Sequence, residues 1–269
     1  MSRQSPLEMS KKRVVYQLPG GDSVNIRRDV EYHTCEAGPL KMDLYYPPSR
    51  QEQQSLPAVV IVTGYPDPGF QKIFGCKFKE MGSTVSWAQL AATSGIVGIT
   101  YENREPTTDL HQLFQHVNEA CASLGIDSTR IGIWASSGHV PLALSLLMLD
   151  APQQLKCAAL LYGYTLDLEG DAVSQAEKLF RFVNPSAGRT VEDLEKDVPL
   201  LIVRAGRDEL PGLNPTLELF ISKALGANLP LTVVNHPTAP HAFDLLDDTD
   251  DSREIIRVTL EFLRFHLSA

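Results

Sequence analysis

Arg130-Ile131-Gly132-Ile133-Trp134-Ala135-Ser136-Ser137-Gly138-His139 is the stretch from which the fold of this chain is read. Ile131 to Trp134 is a short apolar strand that stops at small residues. An apolar helix is expected to follow from Gly138, through Val140, Pro141, Leu142, Leu144, Leu146, Leu147 and Leu149. A serine on a sharp strand-to-helix turn has its hydroxyl lifted clear of the sheet. The helix start behind it offers unpaired N–H groups and a positive dipole end to developing negative charge. Two serines compete for the position. Bulk two residues to either side would clash with neighbouring chain, hence the pattern G-x-S-x-G. Ser137 has Ala135 and His139 as flanks, whereas Ser136 has Trp134 and Gly138. Ala135 fits the tight side of the turn better than Trp134, which favours Ser137 and leaves His139 as a departure from the pattern. Serine is also a preferred helix cap, so the turn alone does not make a nucleophile.

The rest of the chain supplies the context. Its 269 residues suffice for one large α/β domain with a substantial core. An apolar fraction of 43% and a charged fraction of 21% are ordinary for a globular protein. The formal charge, 24 − 33 = −9, argues against a general nucleic-acid surface. Cys35, Cys76, Cys121 and Cys157 show no C-x-x-C pairing, so buried free thiols are expected, not zinc or a disulfide framework. Met1 to Arg13 is polar and reads as a loose arm without a secretory signal. The longest apolar run, Val140 to Leu149, is too short to span a membrane. A cytoplasmic location is the simplest expectation.

Short strands are expected at Val14–Tyr16, Val30–Tyr32 and Leu40–Tyr46, the last alternating as a half-buried antiparallel strand does. Pro47-Pro48 ends it, and a polar loop covers Ser49 to Ser55. Ala58–Val62 is then continuously apolar, as in a strand buried on both faces. A loop and a helix at Ser86–Ser94 follow. Next come a strand at Ile96–Tyr101 and a helix from Leu110 with Asp109 as its cap. Beyond the central stretch, strands are expected at Ala158–Tyr162, Leu200–Val203 and Leu231–Val234. Asn214-Pro215 reads as cap and first position of one helix, and Ser252–Leu267 as the closing amphipathic helix. Strands alternating with helices imply a mostly parallel sheet with helices on both faces and antiparallel strands at its start. Residues 164–197 break the rhythm and are expected to form a small insertion, with one or two short helices, over the C-terminal edge of the sheet.

Ligands of such sheets sit beyond the carboxyl ends of the strands. Past those ends lie Thr63-Gly64-Tyr65-Pro66-Asp67, then Ser137, then Arg204-Ala205-Gly206-Arg207-Asp208-Glu209, and last His236 through His241 to Asp244. Serine, acid and histidine follow one another in chain order. On these motifs the chain resembles the α/β-hydrolase superfamily, and within it small esterases similar to dienelactone hydrolases and acyl-peptide hydrolases. The likeness runs from about Leu40 to the C-terminus, over residues 1–269 read as a single domain. Gly125 to Trp134 looks like the run into the family's nucleophile, Arg204 to Asp208 like its acid turn, and Ala239-Pro240-His241-Ala242-Phe243 like its histidine loop. No cysteine stands at the turn, unlike in dienelactone hydrolase proper.

The resemblance implies a carboxylesterase with Ser137 as nucleophile, His241 as base and Asp208 as the orienting acid. Glu209 and His236 are the rivals for the last two roles. The oxyanion hole is expected from the N–H groups of Gly138 and Tyr65, because Pro66 and Pro68 have none. No metal or organic cofactor is implied. The expected partner is a small-molecule ester, with neither nucleic acid nor membrane, and the sequence does not decide whether the chain forms a homo-oligomer. The alternatives are an amidase or acyl-aminopeptidase, and a catalytically silent ligand-binding member of the same fold.

Overall fold

Apolar runs too short for helices and bounded by turn residues become the strands of one sheet. The computed structural model describes residues 5–51, 54–149 and 155–268. Its strands are β1 (Asn25–Cys35), β2 (Gly38–Tyr46), β3 (Leu56–Ile61), β4 (Val97–Tyr101), β5 (Ile126–Ser136), β6 (Cys157–Leu161), β7 (Leu200–Ala205) and β8 (Leu231–His236). They pair in the order β1-β2-β4-β3-β5-β6-β7-β8. β1 pairs with β2, and β2 with β4, antiparallel; every other pair is parallel. The expected mixed sheet is therefore present, and β1 reaches well beyond the three residues read from the sequence.

Helices α1 (Pro6–Lys11), α2 (Asp67–Phe74), α3 (Gly82–Thr93), α4 (Pro106–Glu119), α5 (Cys121–Leu124) and α6 (Val140–Ser145) belong to the first half of the fold. α7 (Ala172–Phe180), α8 (Leu213–Gly226), α9 (Phe243–Leu246) and α10 (Asp250–Leu267) complete it. Alternate residues of each central strand feed two separate apolar layers. Ala58, Val60, Ile133 and Ala135 face the layer built with α4, α6 and α8. Val59, Ile61 and Trp134 face the layer built with α3 and α10. No helix among the described residues is long and apolar enough to cross a membrane.

The chain leaves β3 for β4 on one side and returns to β5 on the other. The strand order thus reverses around β3, and a crevice opens beyond the carboxyl ends of β3 and β5. Thr63 to Asp67 and Ser137 both lie there.

Several local readings need correction. Residues 1–4 of the expected arm lie outside the described residues, as do 52 and 53 of the polar loop. From Ser5 the arm is helical. The Ser5 hydroxyl accepts the Glu8 N–H while the Glu8 carboxylate accepts the Ser5 N–H, and this capping box starts α1. Val14–Tyr16 is not a strand. Its amides bond to the Ser86 hydroxyl and the Asp244 carbonyl instead of to a neighbouring strand. The loop expected after β3 holds α2, whose start uses Pro68 where a helix needs no N–H. The helix after Ser137 is shorter than its apolar run: a 3₁₀ turn over Ser137–His139, then α6, which ends at Ser145. Gly212, not Asn214, caps α8; the Asn214 side chain instead donates to the Ala205 carbonyl. Asp109 lies inside α4, where its carboxylate accepts the N–H groups of Arg104 and Glu105.

The segment between α2 and α3 is fastened to the sheet by charge. Lys79 is 3% exposed, and its ammonium lies 3.0 Å from Asp43, 2.6 Å from Asp29 and 3.4 Å from Glu102. Asp43 and Glu102 are buried as well. Removing the cation leaves buried Asp43 with only the distant Arg28 guanidinium at 3.6 Å and Glu102 with Lys77 at 2.9 Å, so Lys79→Met should destabilise the fold by about 3 kcal/mol in urea unfolding. A loss below about 1 kcal/mol would mean that water already solvates the cluster.

Candidate active site

The turn after β5 is tight enough to force unusual backbone. Ser137 has φ 53°, in the left-handed region, whereas Ser136 is extended with φ −139°. Left-handed backbone costs a non-glycine residue roughly 1–2 kcal/mol and persists only where the surroundings hold it. Among the described residues six non-glycines have positive φ, and four of them, Ser137, Tyr162, Arg181 and Ala242, line one cavity of about 590 Å³. The other two, Asp29 and Asn228, lie elsewhere, so most of the left-handed non-glycine backbone gathers at this place.

Three of the expected residues meet at the cavity rim. The Ser137 hydroxyl is 2.9 Å from His241 Nε2, and His241 Nδ1 is 2.6 Å from Asp208 Oδ2. The Asp208 side chain is fully buried, and its second oxygen accepts the Leu210 N–H at 3.0 Å. Glu209 points to solvent and takes no part. His236 is buried elsewhere, with Nε2 3.0 Å from the Ser252 hydroxyl and the ring edge-on to Phe243. Ser136 lines the cavity beside the Tyr162 hydroxyl and has no bond to His241.

The loop after β3 lies against this turn. A Cβ on Gly64 would stand 3.0 Å from the Gly138 carbonyl and 3.1 Å from His139 Cα, so any side chain there would push the turn back by a few tenths of an ångström. A Cβ on Gly138 would collide with the Tyr65 hydroxyl and the Phe182 ring. The Gly64 N–H donates to His139 Nδ1 at 2.8 Å, and the Gly64 carbonyl accepts the Val183 N–H at 2.8 Å. The Tyr65 N–H has no acceptor among the described residues. Gly138 sits in the first turn of a 3₁₀ helix, where an N–H has no partner within the helix. Tyr65 and Gly138, the two amides named from the sequence, thus stand on facing loops, the Tyr65 N–H without a protein acceptor among the described residues.

Buried polar groups hold both loops, and none of these was read from the sequence. Thr63 is held at its N–H by the Tyr101 hydroxyl and at its own hydroxyl by Asn103. Asp67 accepts the N–H groups of Phe78 and Asn103, each at 2.9 Å. On the histidine side, Asp244 accepts the Tyr162 hydroxyl at 2.6 Å and the Trp87 indole N–H at 2.8 Å. Burial pushes the Asp244 carboxyl above its ordinary range. The Tyr162 ring stands edge-on to His241 at 5.1 Å. The signal for Asp244 was its place three residues after His241. Its partners, however, lie far off in the chain.

Residues 164–197 contribute Phe180 and Arg181 to the cavity and Val183 to the Gly64 bond. α1 contributes Met9, and α2 contributes Phe70 and Phe74, whose rings stack at 4.0 Å. The lining is overwhelmingly apolar. Among the described residues no group of His, Cys, Asp and Glu could hold a metal ion. The cysteines are free, and only Cys157 is buried.

By sequence, no protein-family model matches the chain, and neither does any curated protein. Solved structures do match its fold. Esterase B of Lactobacillus rhamnosis superposes with a TM-score of 0.68 over 94% of this chain and 88% of its own, at 14% identity. A propionate-bound esterase of the planctomycete Thermogutta terrifontis gives 0.67 over 93% and 95%, at 19% identity. An α/β-hydrolase enzyme from the metagenome of Lake Arreo, a serine-to-alanine mutant, gives 0.69 over 93% and 87%, at 16% identity. The chain has the α/β-hydrolase fold. At these identities the likeness is one of architecture, and what the site does has to be argued from its own residues.

Asp67 gives the loop a pH signature. Burial pushes its carboxyl up from 3.8 to about 6, against the two amide bonds that favour the charge. Between those values the folded chain holds a proton that the unfolded chain has released, so this group's contribution to stability falls as pH rises. The stability of wild type relative to Asp67→Asn should therefore fall by about 2 kcal/mol from pH 4 to pH 6. Urea titrations at both pH values measure it, and an unchanged difference would refute the assignment.

Proposed function

We propose that this chain is a serine hydrolase that cleaves carboxylic esters through an acyl-enzyme. The unbroken hydrogen-bond chain from Ser137 through His241 to Asp208 carries the reading. In it, His241 Nε2 takes the proton from Ser137 as Oγ attacks the ester carbonyl, and returns it to the leaving alcohol. Asp208 fixes the tautomer by accepting from Nδ1 and stabilises the imidazolium that forms. The tetrahedral oxyanion faces the amides of Gly138 and Tyr65. Water, activated by His241, then releases the acid.

The proposed substrate is a small-molecule ester whose apolar part enters the cavity, since Phe70, Phe74, Phe78, Trp87 and Trp134 form much of its wall. We read residues 1–269 as one domain in which 164–197 lies over the active-site edge. On the motifs Arg204–Asp208 and Ala239–Phe243 we group it with small esterases resembling dienelactone-hydrolase-like and acyl-peptide-hydrolase-like members. Esters are preferred to amides in this reading because several of the solved structures that share the fold are esterases.

Labelling of the purified protein with a fluorophosphonate, and turnover of a p-nitrophenyl ester, test the proposal. Ser137→Ala should abolish labelling and lower kcat by of order 10⁴-fold or more. Ser136→Ala should keep both. Asp208→Asn should lower kcat strongly without unfolding the protein, because the imidazole loses its orienting charge, while Glu209→Gln should be mild. Full turnover in Ser137→Ala would sink the proposal.

A further inference from the structure

His139 stands where the usual pattern has glycine, and the mechanism above gives it no task. Its surroundings do. Nδ1 accepts the Gly64 N–H at 2.8 Å, which requires that nitrogen to be unprotonated. Burial favours the same state, drawing the pKa of the ring down to about 3. The rings of Tyr65 and Phe78 both meet it edge-on at 5.0 Å and fix its plane. The two positions are complementary. Gly64 carries no side chain and so lets the backbone of residues 138 and 139 come close, and His139 uses that closeness to reach the Gly64 amide.

We propose that His139 is a positioning residue: through its bond to Gly64 it ties the nucleophile turn to the loop after β3 and aims the Tyr65 N–H at the oxyanion. The argument runs through peptide geometry. A peptide unit is planar, so holding its carbonyl also sets the direction of its N–H. The unit joining Gly64 to Tyr65 has its carbonyl held by the Val183 N–H, and the unit before it has its N–H held by His139. With the dihedrals at Gly64 fixed from both sides, the Tyr65 N–H cannot turn away. Glycine at 64 is the residue that most needs such restraint, because it has the widest choice of backbone angles. A glycine at 139, by contrast, would leave the Gly64 amide without this partner. The imidazole acts as a permanently neutral acceptor and exchanges no proton with substrate.

The proposal rests on the serine-hydrolase reading, and its test separates the two. His139→Phe keeps a ring of similar shape without an acceptor. His139→Asn places Oδ1 where Nδ1 stood. Turnover of a p-nitrophenyl ester, the rate of fluorophosphonate labelling and thermal unfolding are measured for wild type and both variants. Loss of one oxyanion donor costs about 10²–10³ in kcat, so misdirection of the donor in His139→Phe should lower kcat about 10- to 100-fold with KM within about twofold. The labelling rate should fall in step, and His139→Asn should recover to within about fivefold of wild type. Wild-type kcat in His139→Phe would overturn the proposal and leave the hydrolase reading standing. So would equal losses in both variants that follow their unfolding temperatures, which mark a merely structural side chain. A rise in KM with kcat unchanged would also overturn it, by making His139 a substrate contact. A wild type that neither labels nor turns over would overturn the hydrolase reading, and this proposal with it.

Discussion

The left-handed backbone of Ser137 is the constraint around which the site is arranged. No serine adopts φ 53° by preference, so the neighbouring elements have to impose it. β5 delivers the chain to the turn fully buried, between β3 and β6. α6 leaves the turn as an apolar helix packed beneath the sheet's edge, with Val140, Leu142 and Leu144 wholly buried. Between these two anchors the direction of the chain changes too sharply for ordinary helical or extended angles at residue 137. What results is a hydroxyl raised out of the sheet, facing the one loop that carries His241.

Around this point the fold uses buried hydrogen bonds where a surface loop would use water. Asp67, Asn103, Tyr101 and Thr63 hold one side of the crevice, and Asp244, Tyr162 and Trp87 hold the other. Each carboxylate is matched by two donors, the arrangement that makes a buried charge tolerable. A satisfied polar network of this kind stiffens loops that apolar contacts alone would leave free to repack. It explains how a cavity with mostly apolar walls keeps a few polar atoms in register.

The sequence made the sheet legible because its central strands are buried on both faces and stand out as short, unbroken apolar runs. From the ends of those runs, Ser137, Asp208 and His241 follow, since chemistry on such a sheet gathers beyond the carboxyl ends of the strands. What stayed hidden depends on partners distant along the chain. The bond from Trp87 to Asp244 spans 157 positions and that from Gly64 to His139 spans 75, and no local pattern announces either. Val14–Tyr16 has the composition of a strand but finds its partners in a side chain and a loop carbonyl. α2 was concealed by two prolines, which read as loop signals although they also suit the first turn of a helix. The S-x-x-E signature at Ser5 was present in the sequence, yet a helix of six residues forms only with something to rest on.

That helix rests on α2 and α3, and its Met9 reaches the wall of the cavity that holds Ser137. Helix α1 is therefore part of the cavity wall, not an appendage to it. Methionine, unbranched and soft, takes the shape of what it touches. A change of shape at α1, far along the chain from Ser137, therefore changes the shape of the cavity beside that serine.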